Sequence, residues 1–296
     1  MEELVDYYPY GKTGFADPIR KFDNFIISDT DKKILRQLAK EKAAIAEMPV
    51  NQKKIKLWKA LNSLKAARPL VWINEIPWHE MNIDDELTLK TTTEFSKFLE
   101  TRIRRTIYQW KHMKVDIVVE PKLPCYMAVN DSGFGISEQV KVSITDKTSD
   151  IYSRDFIPQI ENEEDIEKIK NPVISYDKKA TEEMFYSMKD IFDGILEVEK
   201  KGIPGFWFAP WDELVRWWDP EKVLADLILK PDLVHKTMDR LTDAYLARLN
   251  QYERLNLLAL NNCNYRIGSG GLGYTDEIPS SSYNPEHIKP LDMWGC

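Results

Sequence analysis

Residues 69–78 read PLVWINEIPW, residues 91–112 read TTTEFSKFLETRIRRTIYQWKH, and residues 116–125 read DIVVEPKLPC. The first and third are short apolar runs edged by proline, the pattern of buried strands. The middle run places Phe95, Phe98, Leu99, Ile103, Ile107 and Trp110 on one side of a helix. Thr91 and Glu94 fit a capping box, in which a hydroxyl and a carboxylate satisfy orphan N–H groups at a helix start. A helix of about 20 residues between two short apolar strands is the βαβ unit of a parallel sheet.

Upstream, residues 1–66 read as a polar lead and two helices. The spacing predicts one helix over 30–47, with Ile34, Leu35, Leu38, Ala39 and Ile45 on one face. A second covers 51–66, with Ile55, Leu57, Trp58, Leu61 and Leu64. Downstream, NDSGFGISEQVKVSITD alternates apolar and polar residues and reads as an inserted hairpin near 133–145, within an insertion near 126–195. ENEEDIEKIK is a solvated helix, and 178–198 an amphipathic one. GIPGFWFAPW (202–211) reads as a buried strand, and Asp219-Pro220 as a helix start. A long helix follows from Pro231 to about Asn256, then a strand at 257–261, a glycine-rich loop and a second Asn-Pro helix start at Asn284-Pro285. The closing LDMWGC looks like the first half of another buried strand.

Strands alternating with helices define an α/β class with mainly parallel strands. A (β/α)₈ barrel takes about 250 residues. With the helical extension (1–66) and the insertion set aside, four or five βα units fit the rest. The expectation is therefore a partial TIM-type (β/α) barrel over 67–296. Its buried strand residues would include Val71, Ile73, Val118, Phe206, Phe208, Leu258 and Leu260, since parallel strands are covered on both faces.

Composition narrows the function classes. Lys and Arg number 41 against 48 Asp and Glu, a net charge of −7, which argues against a nucleic-acid binder. The longest run without a charged residue, 255–265, is 11 residues, short of the ~20 a membrane helix needs. MEELVDYYPY lacks the apolar core of a signal peptide. Cys125, Cys263 and Cys296 are widely spaced, with no CxxC, so neither a zinc ribbon nor a disulfide framework is encoded locally. Idle thiols in a reducing cytoplasm are the expectation.

Gly268-Ser269-Gly270-Gly271-Leu272-Gly273 matches GxGxxG literally. TDEIPSSSYNP follows it, so no helix can open at the third glycine to meet a pyrophosphate. The loop instead reads as a ligand-side loop after a strand. Trp78-His79-Glu80 closes the first strand and Glu75 precedes it; Glu120 closes the second. Carboxylates at strand ends could hold a cation, relay protons or bind a metal, or serve as ordinary caps and ion pairs. Asn261-Asn262-Cys263-Asn264-Tyr265-Arg266 is the densest polar cluster after a buried strand. It offers donors and acceptors but no nucleophile–base pair, and Cys263 has no neighbouring histidine to lower its pKa. Barrel sites are assembled from strand ends, so Glu75, His79, Glu120, Asn262, Asn264 and Arg266 are expected in one cleft.

Several long blocks, RPLVWINEIPWHEM, RRTIYQWKHMKVDIVVEP, FWFAPWDELVRWW, LARLNQYERLNLLALNN and NYRIGSGGLGYTDEIP, resemble the uroporphyrinogen-decarboxylase-like superfamily over roughly residues 30–296. Within it they most resemble the branch near the cobalamin (corrinoid)-dependent methyltransferases. The resemblance implies a TIM-type barrel with its site in the mouth, and methyl transfer from a small methylated substrate with a corrinoid on a partner protein. Glu75, His79 and Glu120 would be catalytic, and Trp78, Trp211, Asn262, Asn264, Arg266 and Tyr274 would bind substrate. An aromatic wall of Trp72, Trp78, Trp207 and Trp211, with carboxylates nearby, suits a cationic methylated amine and equally an aryl ether. The arginine-rich stretch with which true decarboxylases bind propionates is replaced here by Asn74-Glu75-Ile76-Pro77-Trp78-His79. The related methyltransferases take zinc ligands from strands beyond this chain's last residues, so no metal ligand is assigned. A chain that completes the barrel is then an expected partner. The competing readings are a decarboxylase or lyase acting on a small carboxylated substrate, and a non-catalytic fragment that needs a partner.

Overall fold

The computed structural model describes Phe22 and residues 24–73, 76–143, 153–205, 208–268 and 270–295. They form two compact units: 1–129, 176–206 and 256–296 make one, and 130–175 with 207–255 the other.

In the first unit, α1 (Asp29–Ala46), α2 (Pro49–Asn62), α3 (Glu94–His112) and α4 (Lys178–Phe192) accompany two parallel strands, β1 (Lys122–Tyr126) and β6 (Glu197–Lys201). The register sets Lys122 opposite Glu197, Pro124 opposite Glu199 and Tyr126 opposite Lys201. Side chains alternate across a strand, so Leu123, Cys125 and Val198 point the other way. They pack with Leu35, Phe95, Leu99, Ile103 and Met188 in the main apolar core. One face of the pair is thus oily and helix-covered, and the other carries charge. A parallel bridge between Ile203 and Leu258 adds residues 257–260 beside the end of β6. The expected α/β class with parallel pairing holds. The sheets among the described residues are two-stranded, however: β1–β6, β2 (Val129–Asp131) with β5 (Ile174–Tyr176), and antiparallel β3 (Val140–Ser143) with β4 (Ser153–Phe156). The antiparallel β3–β4 pair lies within the insertion, but its second strand falls beyond the 133–145 expected for a hairpin, and residues 144–152 between the strands lie outside the described residues.

Several local expectations are corrected. The described residues of the run 69–76 form no ladder; Val71 is 52% exposed and Ile73 half-buried. Its described backbone link to the next run is the Asp116 amide donating to the Val71 carbonyl at 2.8 Å. Residues 116–121 join no strand and bend at Asp116 and Pro121; they are buried at Ile117, Val118 and Val119, and side chains take many of the polar backbone groups in and beside them. Lys54 donates to the Val115 carbonyl at 2.8 Å, Trp58 Nε1 to Asp116 at 2.8 Å and Asn264 to Val118 at 2.9 Å, while Asn51 accepts the Val119 amide at 2.9 Å. Buried backbone groups need partners, not a ladder as such.

The strand read at 202–211 is displaced. β6 ends at Lys201, Pro210 starts a helix, and Phe208 is 43% exposed; Phe206 lies outside the described residues. The helix read over 178–198 stops at Phe192, and Glu197–Lys201 pairs as a strand. Thr93, not Thr91, caps α3, accepting the Ser96 amide at 3.1 Å. No helix begins at Asn284-Pro285; the chain turns there. Val118 and Leu258 are buried as expected, and Leu260 is half-buried.

In the second unit, α5 (Pro210–Trp218), α6 (Pro220–Leu229) and α7 (Pro231–Arg254) follow one another with a proline in the first turn of each, where its missing N–H costs nothing. Leu214, Trp217, Trp218, Val223, Leu241 and Tyr245 are buried. Asp131 forms an ion pair with Arg248, 2.8 Å from its Nε, and accepts hydrogen bonds from Arg248 Nη2 at 3.3 Å and from the Tyr252 hydroxyl at 2.8 Å. No helix among the described residues is long and apolar enough to cross a membrane.

Candidate functional site

The charged face of the β1–β6 pair is built by strand alternation. Lys122 lies 3.4 Å from Glu197 and 3.6 Å from Glu199 across the register. Glu120 lies two residues before Lys122, at the entry to β1, and its charge reaches the Lys122 ammonium. Its carboxylate accepts the Tyr274 hydroxyl at 2.8 Å. At the far end of β6, Lys201 Nζ lies 3.1 Å from Cys263 Sγ. Two polar pairs, Glu120–Tyr274 and Lys201–Cys263, therefore sit in one neighbourhood, and the Glu120 and Glu199 charges both reach Cys263.

Burial sets the protonation of these groups. Burial, reinforced by the Glu120 carboxylate, pushes the Tyr274 phenol far above its ordinary range, so it stays a donor. Burial likewise raises the Cys263 thiol; Lys201 opposes this, and Glu120 and Glu199 add to it. Burial works against the Lys201 ammonium, but Cys263, Tyr126 and Glu199 outweigh it and raise its pKa. At neutral pH the pair is an ammonium facing a thiol, with no thiolate nucleophile.

The loop after residues 257–260 is held by the amides of its polar cluster. Asn261 accepts the Trp294 amide at 2.8 Å and donates to its carbonyl at 3.2 Å, and Asn262 donates to Ile278 at 3.0 Å. Asn264 reaches Val118, two residues before Glu120. Arg266 bridges to Leu272 and holds its guanidinium 5.8 Å from the Trp72 ring. Trp72 packs against the cluster of Trp58, Val118, Leu272 and Tyr274. Two glycines of this loop, Gly271 and Gly273, serve close packing. A Cβ on Gly271 would lie 2.1 Å from the Trp58 ring, and one on Gly273 would lie 2.2 Å from the Asn261 carbonyl oxygen.

Of the residues singled out in the sequence, Glu120, Tyr274, Asn264 and Arg266 are linked through Val118 and Trp72, and Asn262 belongs to the supporting loop. His79 sits in a 3₁₀ turn, 40% exposed and 3.4 Å from Glu80. Trp78 packs edge-on against Tyr108 and under Arg105 of α3, 4.8 Å from its ring. Trp211 belongs to the second unit, at the start of α5. There it lines a groove of about 220 Å³ with Leu227, Pro231, Val234, His235 and Met238. Glu75 and Trp207 lie outside the described residues. Lys122, Glu197, Glu199 and Lys201 were not singled out. The signal for Glu197, Glu199 and Lys201 is the period-two pattern EVEKK after the Asp193-Gly194 turn pair, a helix break that ends the preceding helix.

No group of three or more His, Cys, Asp or Glu among the described residues is placed to hold a metal ion, so zinc has no described ligand set here. No protein-family model, curated protein or solved structure matches the chain.

Proposed function

We propose that the chain is a uroporphyrinogen-decarboxylase-like protein of the corrinoid-dependent methyl-transfer branch, and that the charged face of the β1–β6 pair binds its small methylated donor. The observation that carries this reading is the Glu120–Tyr274 pair beside Lys201–Cys263 on a face whose reverse side is core. The resemblance of the long sequence blocks supports it. A corrinoid on a partner protein would supply the cobalt centre that takes the methyl group, leaving the bonding pair on the donor's heteroatom. This chain's residues bind and orient. The Glu120 carboxylate, with the Trp72 ring nearby, suits an N-methylated cation. Tyr274 keeps its proton and fixes the Glu120 carboxylate by hydrogen bonding to it. Lys201 keeps its charge and offers N–H donors to a heteroatom that is losing its methyl group.

A second reading, decarboxylation or lyase chemistry on a small carboxylate, is favoured by one feature: the half-buried Lys201 ammonium is a carboxylate partner. Isothermal titration with tetramethylammonium, trimethylamine, 4-methoxybenzoate, benzoate and succinate separates the two. The methyl-donor reading expects saturable binding of a methylated compound, weakened about 10-fold or more in Glu120→Gln, as loss of a charged hydrogen-bond partner costs ~1.5–3 kcal/mol. Binding of the unmethylated carboxylates alone, or of none of the five, overturns it.

A further inference from the structure

Lys42 is a lysine of α1, on the helix-covered side of the sheet, and it reaches the backbone that carries Glu120. Its Nζ donates to the Glu120 carbonyl at 2.8 Å and also to the Lys122 carbonyl. The residue is 6% exposed. Burying an ammonium is costly unless its hydrogen bonds are met, and burial pushes this one down to about 8. An apolar side chain would avoid that cost at a core position of α1, so the lysine's distinctive contribution is the pair of bonds it makes.

Those bonds fall on alternate carbonyls at the entry to β1. Pro121 lies between them, and its own carbonyl accepts the Glu197 amide at 3.0 Å on the β6 side. The peptide on either side of Glu120 is therefore held: β6 takes the Pro121 carbonyl, Lys42 takes the flanking carbonyls, and Asn51 takes the Val119 amide at 2.9 Å. Proline also restricts the backbone of the residue before it. With φ and ψ of Glu120 fixed, its Cα–Cβ bond has one direction, and the carboxylate meets Tyr274 at 2.8 Å.

We propose that Lys42 is a positioning residue: by clamping the Glu120 and Lys122 carbonyls on the side away from β6, it aims the Glu120 carboxylate at Tyr274. The inference rests on the reading above only in giving Glu120 a functional role; the aiming itself is a property of the unliganded protein. A site held by a supporting shell loses precision when that shell is removed, even while the fold persists.

The test is the ¹³Cζ resonance of Tyr274 in ¹³C-tyrosine-labelled, unliganded protein, assigned with Tyr274→Phe. Glu120→Gln gives the position of this resonance without the carboxylate acceptor. In Lys42→Met the resonance is expected to move at least half-way to that position. Lys54→Met is the control, since it removes a like bond, Lys54 to the Val115 carbonyl at 2.8 Å, upstream of Glu120; there the resonance should stay. If Lys42→Met does not fold, Lys42→Gln, with a shorter polar side chain, is read in the same way. A Tyr274 resonance unmoved in the folded Lys42 variant, or moved equally by Lys54→Met, overturns the proposal. Failure of every methyl donor to bind would sink the methyl-transfer reading and leave this result untouched.

Discussion

Asn51 joins the end of α1 to the segment leading into β1: its Oδ1 accepts the Val119 amide at 2.9 Å while its Nδ2 donates to the Ile45 carbonyl at 2.8 Å. The residue is 1% exposed. The Ile45 carbonyl also accepts the Met48 amide at 3.1 Å, so it tolerates loss of the Asn51 donor. The Val119 amide has no second acceptor among the described bonds. Asn51→Leu should therefore cost about 1–3 kcal/mol, the penalty for one orphaned buried donor. Urea unfolding reads this directly. A loss under ~0.5 kcal/mol, the range of surface substitutions, would mean that the segment relaxes to find another acceptor.

Glu100 does comparable work for the turn before α3. Its carboxylate accepts the Lys90 amide at 2.9 Å, the Thr91 amide and hydroxyl each at 2.8 Å, and Arg104 Nε at 2.7 Å. Burial pulls its pKa up, but the bonds from Thr91, Arg104 and Lys90 together outweigh burial and hold it below the ordinary carboxylate range. A carboxylate depressed in the folded state adds stability that is present above its unfolded pKa and lost as pH falls through the folded one. Wild type should exceed Glu100→Gln in unfolding free energy at pH 7, and the gap should close progressively below pH ~4. A gap that is constant from pH 7 to pH 3 would refute the assignment.

The helices were the legible part of this chain. α1, α3 and α7 fall within two residues of their apolar periodicity because each buries a single stripe, Leu35, Ala39 and Ile45 in α1 and Leu99, Ile103 and Ile107 in α3. The strands were less legible because hydrophobicity and pairing part company here. Among the described residues, apolar 69–73 enters no ladder and 202–205 makes one bridge, Ile203 to Leu258, whereas charged Glu197–Lys201 forms a ladder. Its alternation puts Glu197, Glu199 and Lys201 on the polar face, which a search for buried strands passes over. Of the candidate site, Glu120, Asn264, Arg266 and Tyr274 could be named from strand ends and the glycine loop. Lys42 could not, since nothing in the sequence sets it apart from the other lysines of α1.

Gly271 is needed for its lack of a side chain. A Cβ there would come within 2.1 Å of the Trp58 ring, and that ring is held by its own bond to the Asp116 carbonyl at 2.8 Å. Gly271→Ala must displace the indole or the loop, and overpacking of this kind costs about 1–3 kcal/mol. Trp58→Phe removes the obstructing six-membered ring edge, so the alanine should cost less in that background. Equal costs in the two backgrounds, by thermal or urea unfolding, would show that the clash is not with Trp58.

Cys263 offers a test of the charges around it. In a Cys125→Ser, Cys296→Ser background, iodoacetamide reports on Cys263 alone. Only the thiolate reacts, and burial holds this thiol up, with Lys201 pulling its pKa down and Glu120 and Glu199 pushing it further up. Alkylation should be slow at pH 7 and quicken as pH rises. Lys201→Met removes the nearby ammonium, so at pH 8 the rate should fall several-fold. Glu120→Gln removes a carboxylate, so the rate should rise. The opposite signs matter, because a general loosening of the loop would expose the sulfur and speed both variants. If both substitutions accelerate alkylation, access rather than charge governs Cys263, and the Lys201–Cys263 contact at 3.1 Å has no electrostatic consequence.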